Sequence, residues 1–188
     1  MFWVFAALIV LSGVAVFLRW QGSLRRGGAE GKGRTLAGLR LGDHVRHLGT
    51  VYEVVGAVVL NEGGFRWREL KLSDGEQTRW LRMESSGVLR LTLLGEAERI
   101  DVDDEPAASL VRGDQTYRLD EHGQAYLTRY GDVDLRSGER VEYYHYLGAE
   151  GRRLSIERVG DRALVQRLGQ ELTGEELLFE PTAGRDDL

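Results

Sequence analysis

Two tryptophans and two glutamates in the middle of the chain are residue types that could recognise a cation. Trp67 lies two residues before Glu69, and Trp80 lies four residues before Glu84. Aromatic faces and carboxylates both attract positive charge, so a concave surface lined by these side chains would suit a polyamine or a basic peptide. The alternative interpretation is that the rings fill a core and the glutamates pair with neighbouring arginines. The sequence leaves both interpretations open.

A second candidate ligand-binding surface is the aromatic run at 143–146. In a strand, Tyr144 and Tyr146 share one face, whereas Tyr143 and His145 share the other. Tyr144 and Tyr146 could form an aromatic strip that contacts a ligand. A central strand whose hydroxyls reach the rim of a core would explain the same residues equally well.

Metal ligands are sparse. His44 and His47 lie beside Asp43, and His122 follows Glu121, but no spacing brings a third and fourth ligand to the same point. We therefore expect no metal site and no cofactor.

Recognisable catalytic motifs are also absent from the sequence. The acidic run at 101–105 lacks the glycine and the distant glutamate of a calcium loop. The chain has no P-loop, no dinucleotide fingerprint and no Ser-His-Asp spacing, and it contains no cysteine. We expect a protein that is not an enzyme, with an enzyme or small-ligand sensor built on the Trp–Glu surface as the alternative.

The elements that must position these residues are predicted to be β-strands. Short segments of alternating polar and apolar residues recur every eight to twelve residues between Gly, Asp, Glu and Ser turns. The expected strands cover residues 51–60, 65–72, 78–84, 88–94, 115–120, 124–130, 140–147, 152–159 and 163–168. The fold class is therefore mainly β.

Four local features refine this prediction. Gly56 suggests a bulge, and a second bulge near Arg68 or Glu69 would explain the shift of apolar phase within 65–72. One helical turn is expected at 106–110, after a proline. Residues 173–179 form either a short helix or an edge strand, because they contain the spacing of a capping box.

A weak internal similarity suggests two related β units. Residues 49–52 are echoed by 113–117, and residues 81–84 are echoed by 154–157. The possible halves are residues 39–105 and 106–180. Each half alone would be marginally stable, so we expect the halves to pack together.

The first eighteen residues carry no charge and predict a membrane anchor at residues 1–20. As a helix, eighteen residues span about 27 Å, close to the thickness of the hydrocarbon core. Trp3 and Trp20 lie near the ends, where aromatic rings favour the interface. A cleavable signal peptide is the alternative, but no basic residue precedes the apolar run and no small-residue cleavage site follows it.

Basic residues after this segment predict its orientation. Residues 21–38 form a flexible, Gly-rich and basic linker, and positive flanks stay on the cytoplasmic side. The N-terminus is therefore expected outside a single-pass cell-membrane anchor, with the β-rich domain, residues 39–180, in the cytoplasm. Residues 181–188 are expected to be a disordered tail.

The charge of the remaining chain excludes a further class of partner. Residues 1–40 contain six basic residues and one acidic residue, whereas residues 41–188 contain 19 basic and 29 acidic residues, a net charge of −10. Nucleic-acid binders usually carry the opposite sign, so we expect no nucleic-acid partner. The hydrophobic content of 42% also excludes a wholly disordered chain.

Several short motifs resemble a bacterial family known as the domain of unknown function DUF4178. They are Leu41-Gly42-Asp43, Gly49-x-x-Tyr52-x-Val54-x-Gly56, Trp67-x-Glu69, Trp80-Leu81, Glu84, Gly113, Tyr117, Tyr144-x-Tyr146 and Leu154-Ser-Ile-Glu157. The resemblance covers most of the β-rich domain and not the anchor. It implies a β-rich module without an established activity. It also implies that members of the family accompany envelope-associated proteins.

Together these observations predict a membrane-anchored binding or adaptor module. Its expected partners are the lipid bilayer, through residues 1–20, and other envelope proteins, with a small cationic ligand as an alternative.

Overall fold

Strands make up most of the residues that the computed structural model describes, which are 36–97, 102 and 107–180. Two short 3-10 turns, Leu36–Gly38 and Ala149–Gly151, accompany them. The strands are β1 (His44–His47), β2 (Thr50–Glu62), β3 (Phe65–Ser73), β4 (Thr78–Ser85), β5 (Leu89–Glu96), β6 (Ser109–Arg112), β7 (Gln115–Gly131), β8 (Arg140–Leu147), β9 (Arg152–Val159), β10 (Val165–Leu172) and β11 (Leu177–Glu180).

Eight of these strands close into an antiparallel barrel. Their order is β2-β3-β4-β5-β10-β9-β8-β7, and β7 pairs with β2 to complete the ring. Strands β1 and β11 continue the sheet beyond one end of β2, and β6 continues it beside β7. Closure removes the free edges that an eight-stranded open sheet would expose.

The barrel consists of two meanders that meet along two seams. The first meander is β2–β5 and the second is β7–β10. Gly56 lies opposite Gly131 in the β2–β7 seam, and Leu94 lies opposite Gly169 in the β5–β10 seam. Side chains are absent where backbones approach most closely: a Cβ at residue 169 would lie 1.9 Å from the carbonyl oxygen of Leu93. Only glycine fits at that point of the seam.

A bulge interrupts the first strand of each meander at corresponding positions. The register shifts between Val54 and Gly56 in the β2–β3 ladder, and between Leu119 and Glu121 in the β7–β8 ladder. An extra residue reverses which side chains face the barrel interior. In both long strands, the apolar side chains at every second residue therefore face outward before the bulge and inward after it.

The interior of the barrel is filled by one apolar cluster and a group of charged residues. The apolar cluster draws side chains from seven of the eight barrel strands, which share only the inner face, together with Val133 of the β7–β8 connection. Its buried members are Val58, Leu60, Trp67, Trp80, Leu94, Ala125, Leu127, Val133, Val141, Tyr143 and Val159.

Two further clusters cover the outer faces of the meanders. One joins β1, β11 and Leu39 to the outer side of β2–β5, where Leu70, Leu72 and Leu81 are fully buried. The other surrounds Tyr146 on the outer side of the second meander. Several strands are thus buried on both faces, as is usual for β-rich domains of more than one layer.

The mainly β prediction is confirmed. Strand bounds agree closely for Arg152–Val159 and Arg140–Leu147, whereas the predicted segments 115–120 and 124–130 form the single bent strand β7. The expected helical turn at 106–110 is wrong where it is described, because Ser109 and Leu110 lie in β6. Within 173–179, the edge-strand alternative holds from Leu177 onward.

The predicted bulge near Arg68 or Glu69 is also wrong. Strand β3 pairs regularly from Phe65 to Ser73, and the irregularity lies in β2. Trp67 faces the interior while Leu70 faces the outer cluster, because β3 is covered on both sides. Burial on two faces explains the change of apolar phase without an extra residue.

The predicted anchor at 1–20, most of the linker at 21–38 and the tail at 181–188 lie outside the described residues. The linker prediction overlaps the described part only at Leu36–Gly38, which form a 3-10 turn.

Over the part of the chain that the structure describes, no helix has the length and apolar character needed to cross a membrane.

Candidate functional site

The Trp–Glu group predicted as a ligand surface lies inside the barrel. Trp67, Glu69 and Trp80 are only 3% to 9% exposed to solvent, so they do not line an open cleft. Trp67 contacts Tyr143 edge-on, with ring centroids 5.2 Å apart. The interpretation in which these side chains form core and ion pairs agrees with their positions.

Glu69 belongs to a buried ion-pair network that joins the two meanders. Nε of Arg82 donates to Oε1 of Glu69 at 2.7 Å, and Nη2 of Arg82 donates to Oε1 of Glu157 at 2.6 Å. Ser155 donates to the same oxygen of Glu157 at 2.6 Å, and Nη1 of Arg167 donates to Oε2 at 2.8 Å. Two guanidinium groups thus neutralise two carboxylates, as burial of charge requires.

The two buried carboxylates have opposite pKa shifts. Burial raises the pKa of Glu69, and Arg82 only partly opposes this effect. Burial acts on Glu157 in the same direction, but Arg167, His145 and Arg82 outweigh it and hold the pKa of Glu157 well below its usual value. Glu157 is therefore the firmly ionised member, and Glu69 is the member that protonates more readily.

Arg167 connects this network to the aromatic cluster. Its guanidinium lies 4.7 Å from the ring centroid of Trp80, within the range of a cation–π contact. The cation that faces this tryptophan is therefore an arginine of the same chain. Trp80 and Glu69, which suggested a cation site in the sequence, therefore contact arginines inside the protein.

Glu84 is the one member of the Trp–Glu group whose side chain is partly exposed to solvent. It lies at the end of β4 and forms an ion pair with Arg90 at 3.2 Å. Burial raises the pKa of Glu84, and Arg82 opposes this effect.

The two tyrosines predicted as an aromatic strip face the outer cluster of the second meander. Tyr146 is fully buried and donates to the carbonyl of Ala107 at 2.9 Å, and Tyr144 donates to Glu142 at 3.0 Å. Burial raises the pKa of Tyr146 to about 12. The alternation of faces at 143–146 is as expected, since Tyr143 and His145 point into the interior.

A groove on the outer surface is lined by described residues, and the sequence did not predict it. It has a volume of about 660 Å³. It runs over the β5–β10 seam, between the β1–β2 hairpin and the first residues of β7 and β9. Its lining residues are His47, Leu48, Thr50, Tyr52, Asp74, Gln77, Arg79, Leu93, Tyr117, Arg152, Leu168, Gly169, Gln170, Leu172 and Glu176.

The groove has an apolar floor and a charged rim. Tyr52 and Tyr117 occupy the third position of β2 and β7, and both are buried in the floor. Leu48 lies on the rim in the left-handed region, with φ of 48° and 88% exposure. Such a backbone is uncommon for leucine, and an exposed apolar side chain at a hairpin tip is available for a contact.

Charges of both signs surround this floor. Arg79 and Arg152 contribute positive charge, while Asp74 and Glu176 contribute negative charge. Glu176 accepts hydrogen bonds from the backbone N–H and the hydroxyl of Thr173, at 2.7 and 2.8 Å, and these bonds lower its pKa. The capping-box spacing noted in the sequence thus stabilises a turn before β11 and positions one rim carboxylate.

The only sequence signal for this groove was the repeat of a glycine followed by a tyrosine, Gly49-Thr-Val-Tyr52 and, one residue longer, Gly113-Asp-Gln-Thr-Tyr117. It places the two tyrosines at equivalent points after two hairpins. The contribution of the rim could not be predicted, because it depends on how the two meanders cross.

The fold and the site define a closed eight-stranded β-barrel domain with an internally neutralised charge network and an external groove. The family described as domain of unknown function DUF4178 matches residues 40–173 of the chain. This protein therefore belongs to the DUF4178 family, as the resemblance in its motifs predicted.

Similar proteins include an uncharacterised protein of Mycobacterium bovis and one of Mycobacterium tuberculosis. Each is 32% identical over 120 residues, which cover 61% of this chain and 57% of the relative. The chain thus matches little more than half the length of these curated relatives. No solved structure matches it significantly.

Proposed function

We propose that this protein is a non-enzymatic binding or adaptor module, held at a membrane by residues 1–20, whose partner occupies the groove. The observation that carries the proposal is the position of the groove on the seam between the meanders. Its volume of about 660 Å³ lies within the usual range of binding sites. The barrel interior, in contrast, is filled by side chains.

The composition of the groove favours a polypeptide segment as the partner. An apolar floor with Tyr52 and Tyr117 offers the aromatic surface that is enriched at protein interfaces. A simple polyanion or polyamine would favour a rim of one charge, whereas this rim carries both. We therefore assign the groove to a segment of another envelope-associated protein.

The membrane part of the proposal rests on the sequence. The uncharged run at the N-terminus and the basic residues that follow it support an anchor whose N-terminus is outside the cell. Mass spectrometry of the mature protein should find an N-terminus before Trp20. Protease added to intact cells should leave a C-terminal tag intact, and digestion of that tag would contradict the orientation.

Site-specific photo-crosslinking in cells tests the groove. A photoreactive side chain at Gln77 or Gln170, both exposed in the groove, should give one crosslinked partner band. The matched control is Asp161, an exposed turn residue outside the groove. The substitution Arg152→Glu should reduce the band severalfold, because it reverses a rim charge. The same bands from all three positions, or no band from the groove positions, would contradict the assignment.

A further inference from the structure

We propose that Glu84, Glu121 and His145 bind a divalent metal ion, with Zn²⁺ the best match, at the mouth of the barrel. This site is separate from the groove, and it does not depend on the proposed adaptor function. The site could not be predicted from the sequence, because the three residues lie on three different strands.

The topology brings the three side chains together. Glu121 and His145 lie directly opposite each other in the β7–β8 ladder. Glu121 faces the interior because the bulge between Leu119 and Glu121 reverses the alternation of β7. Strand β4 is not a neighbour of either strand, so Glu84 meets them across the interior. One ligand atom from each residue lies within 4.8 Å of the other two.

A buried imidazole points to a ligand independently of the carboxylates. The side chain of His145 is only 7% exposed, and its Nε2 has no hydrogen-bond partner among the described residues. The nearest carboxylate oxygen, Oε1 of Glu157, is 3.8 Å away and already accepts from Arg82 and Ser155. A buried polar atom without a partner is costly and is often explained by an ion or water.

The space at this point suits a single ion. A cavity of about 10 Å³ is lined by Glu84, Glu121 and His145 together with neighbouring arginines. That volume corresponds to about one water-sized sphere.

The arginines around the cavity do not exclude a cation. Arg153 is held by Asp120 at 2.6 Å and by Glu171 at 2.9 Å, and Arg82 is held by the buried network. Arg90 is the residue that faces the candidate ligands, 3.2 Å from Glu84 and 3.8 Å from Glu121. Its side chain is 37% exposed, so it can turn towards solvent when an ion takes its place.

One nitrogen and two carboxylate ligands favour zinc over magnesium or calcium. Imidazole suits Zn²⁺, whereas the harder ions prefer sites made wholly of oxygen. Tetrahedral zinc needs ligand atoms about 3.3 Å apart, so the three side chains must close by about 1.5 Å from their present outer limit. Glu121 is 49% exposed and free to make this movement, and water would complete the coordination.

Isothermal titration of the full-length protein with Zn²⁺ and Mg²⁺ tests the proposal. We expect one Zn²⁺ per chain and no saturable binding of Mg²⁺. Glu121→Gln removes a direct ligand and should weaken Zn²⁺ binding by at least the roughly 10- to 100-fold that loss of an outer-sphere partner costs. Folding should be unaffected, because the residue is exposed. Arg90→Gln should strengthen binding, because it removes the competing cation. His122→Asn, next to Glu121 but stacked on Tyr144, is the matched control and should leave binding unchanged.

Two results would overturn the proposal. One is the absence of saturable binding of Zn²⁺ up to about 100 µM, a ceiling that corresponds to weak association. The other is binding that survives both Glu121→Gln and His145→Gln but is lost in His47→Asn, which would place the ion on the surface. If His145→Gln does not fold, the opposite effects expected for Glu121→Gln and Arg90→Gln still decide the question.

Discussion

The buried network makes a quantitative prediction for the substitution Arg82→Met. Methionine keeps much of the volume of the arginine stem but removes the charge and the hydrogen bonds to Glu69, Glu157 and Ser155. Glu157 retains Arg167 at 2.8 Å, whereas the nearest remaining cation to Glu69 is Arg167 at 3.7 Å. The substitution therefore leaves mainly one buried carboxylate uncompensated.

Removing one partner of a buried ion pair typically costs about 3–5 kcal/mol, and we expect this range for Arg82→Met at pH 8. Small domains usually unfold with about 5–15 kcal/mol, so the variant should remain folded but much less stable. The measurement is urea unfolding of the full-length protein, followed by circular dichroism. Arg158→Met breaks a pair with Glu142 in which the side chains are 27% and 29% exposed; it is the matched control and should cost less than about 1 kcal/mol.

A second substitution distinguishes charge from packing. If the penalty arises from the abandoned carboxylate, Glu69→Leu combined with Arg82→Met should recover about 2–3 kcal/mol relative to Arg82→Met alone. Lower pH should also rescue the single variant. Its Glu69 has a pKa raised by burial, and such a group stabilises the fold when protonated and loses that contribution as pH rises.

A cost for Arg82→Met below about 1 kcal/mol, or additive costs in the double variant, would show that an uncompensated buried carboxylate is not the source of the penalty. Equal losses at pH 5 and pH 8 would also count against it, because they would show that no raised carboxylate pKa is involved.

Two further predictions concern the seam and acid stability. Gly169→Ala should destabilise the protein by several kcal/mol in urea unfolding, because its Cβ would lie 1.9 Å from the carbonyl oxygen of Leu93; Gly38→Ala, whose Cβ would meet nothing within 4 Å, should cost less. The low pKa of Glu157 predicts stability that is present above about pH 4.3, the value for a free glutamate, and lost as pH falls further. The variant Glu157→Gln should show a flatter acid limb, and an unchanged limb would exclude this carboxylate as its cause.

The strands could be predicted from the sequence because alternation and turn residues are local signals. Strand β9 was predicted at its observed bounds, Arg152–Val159. Strand β1 was missed because only four residues separate Asp43 from the hairpin tip, and its alternation is too short to register. Strand β7 was predicted as two pieces because its bulge reverses the alternation halfway.

The candidate sites were less predictable, because they depend on long-range contacts. The sequence suggested that Trp80 and Glu69 attract positive charge, and in the structure both side chains contact arginines of the same chain. The sequence could not show that Arg82 and Arg167, contributed by two different meanders, satisfy it from within. Glu84 and His145 were noted separately in the sequence, but only closure of the barrel brings them to the same point.

The two-seam architecture has a consequence for biosynthesis. Contacts within each meander join neighbours in sequence, whereas both seams join residues far apart, such as Ala57 with Tyr130. We therefore expect the hairpins to form before the ring closes, because the seam contacts join residues far apart in the sequence. During translation, we expect the tryptophans of the first meander to stay exposed to solvent until the second meander has been synthesised. Glu69 and Arg82 both belong to the first meander. Their charges can therefore neutralise each other before the second meander has been synthesised.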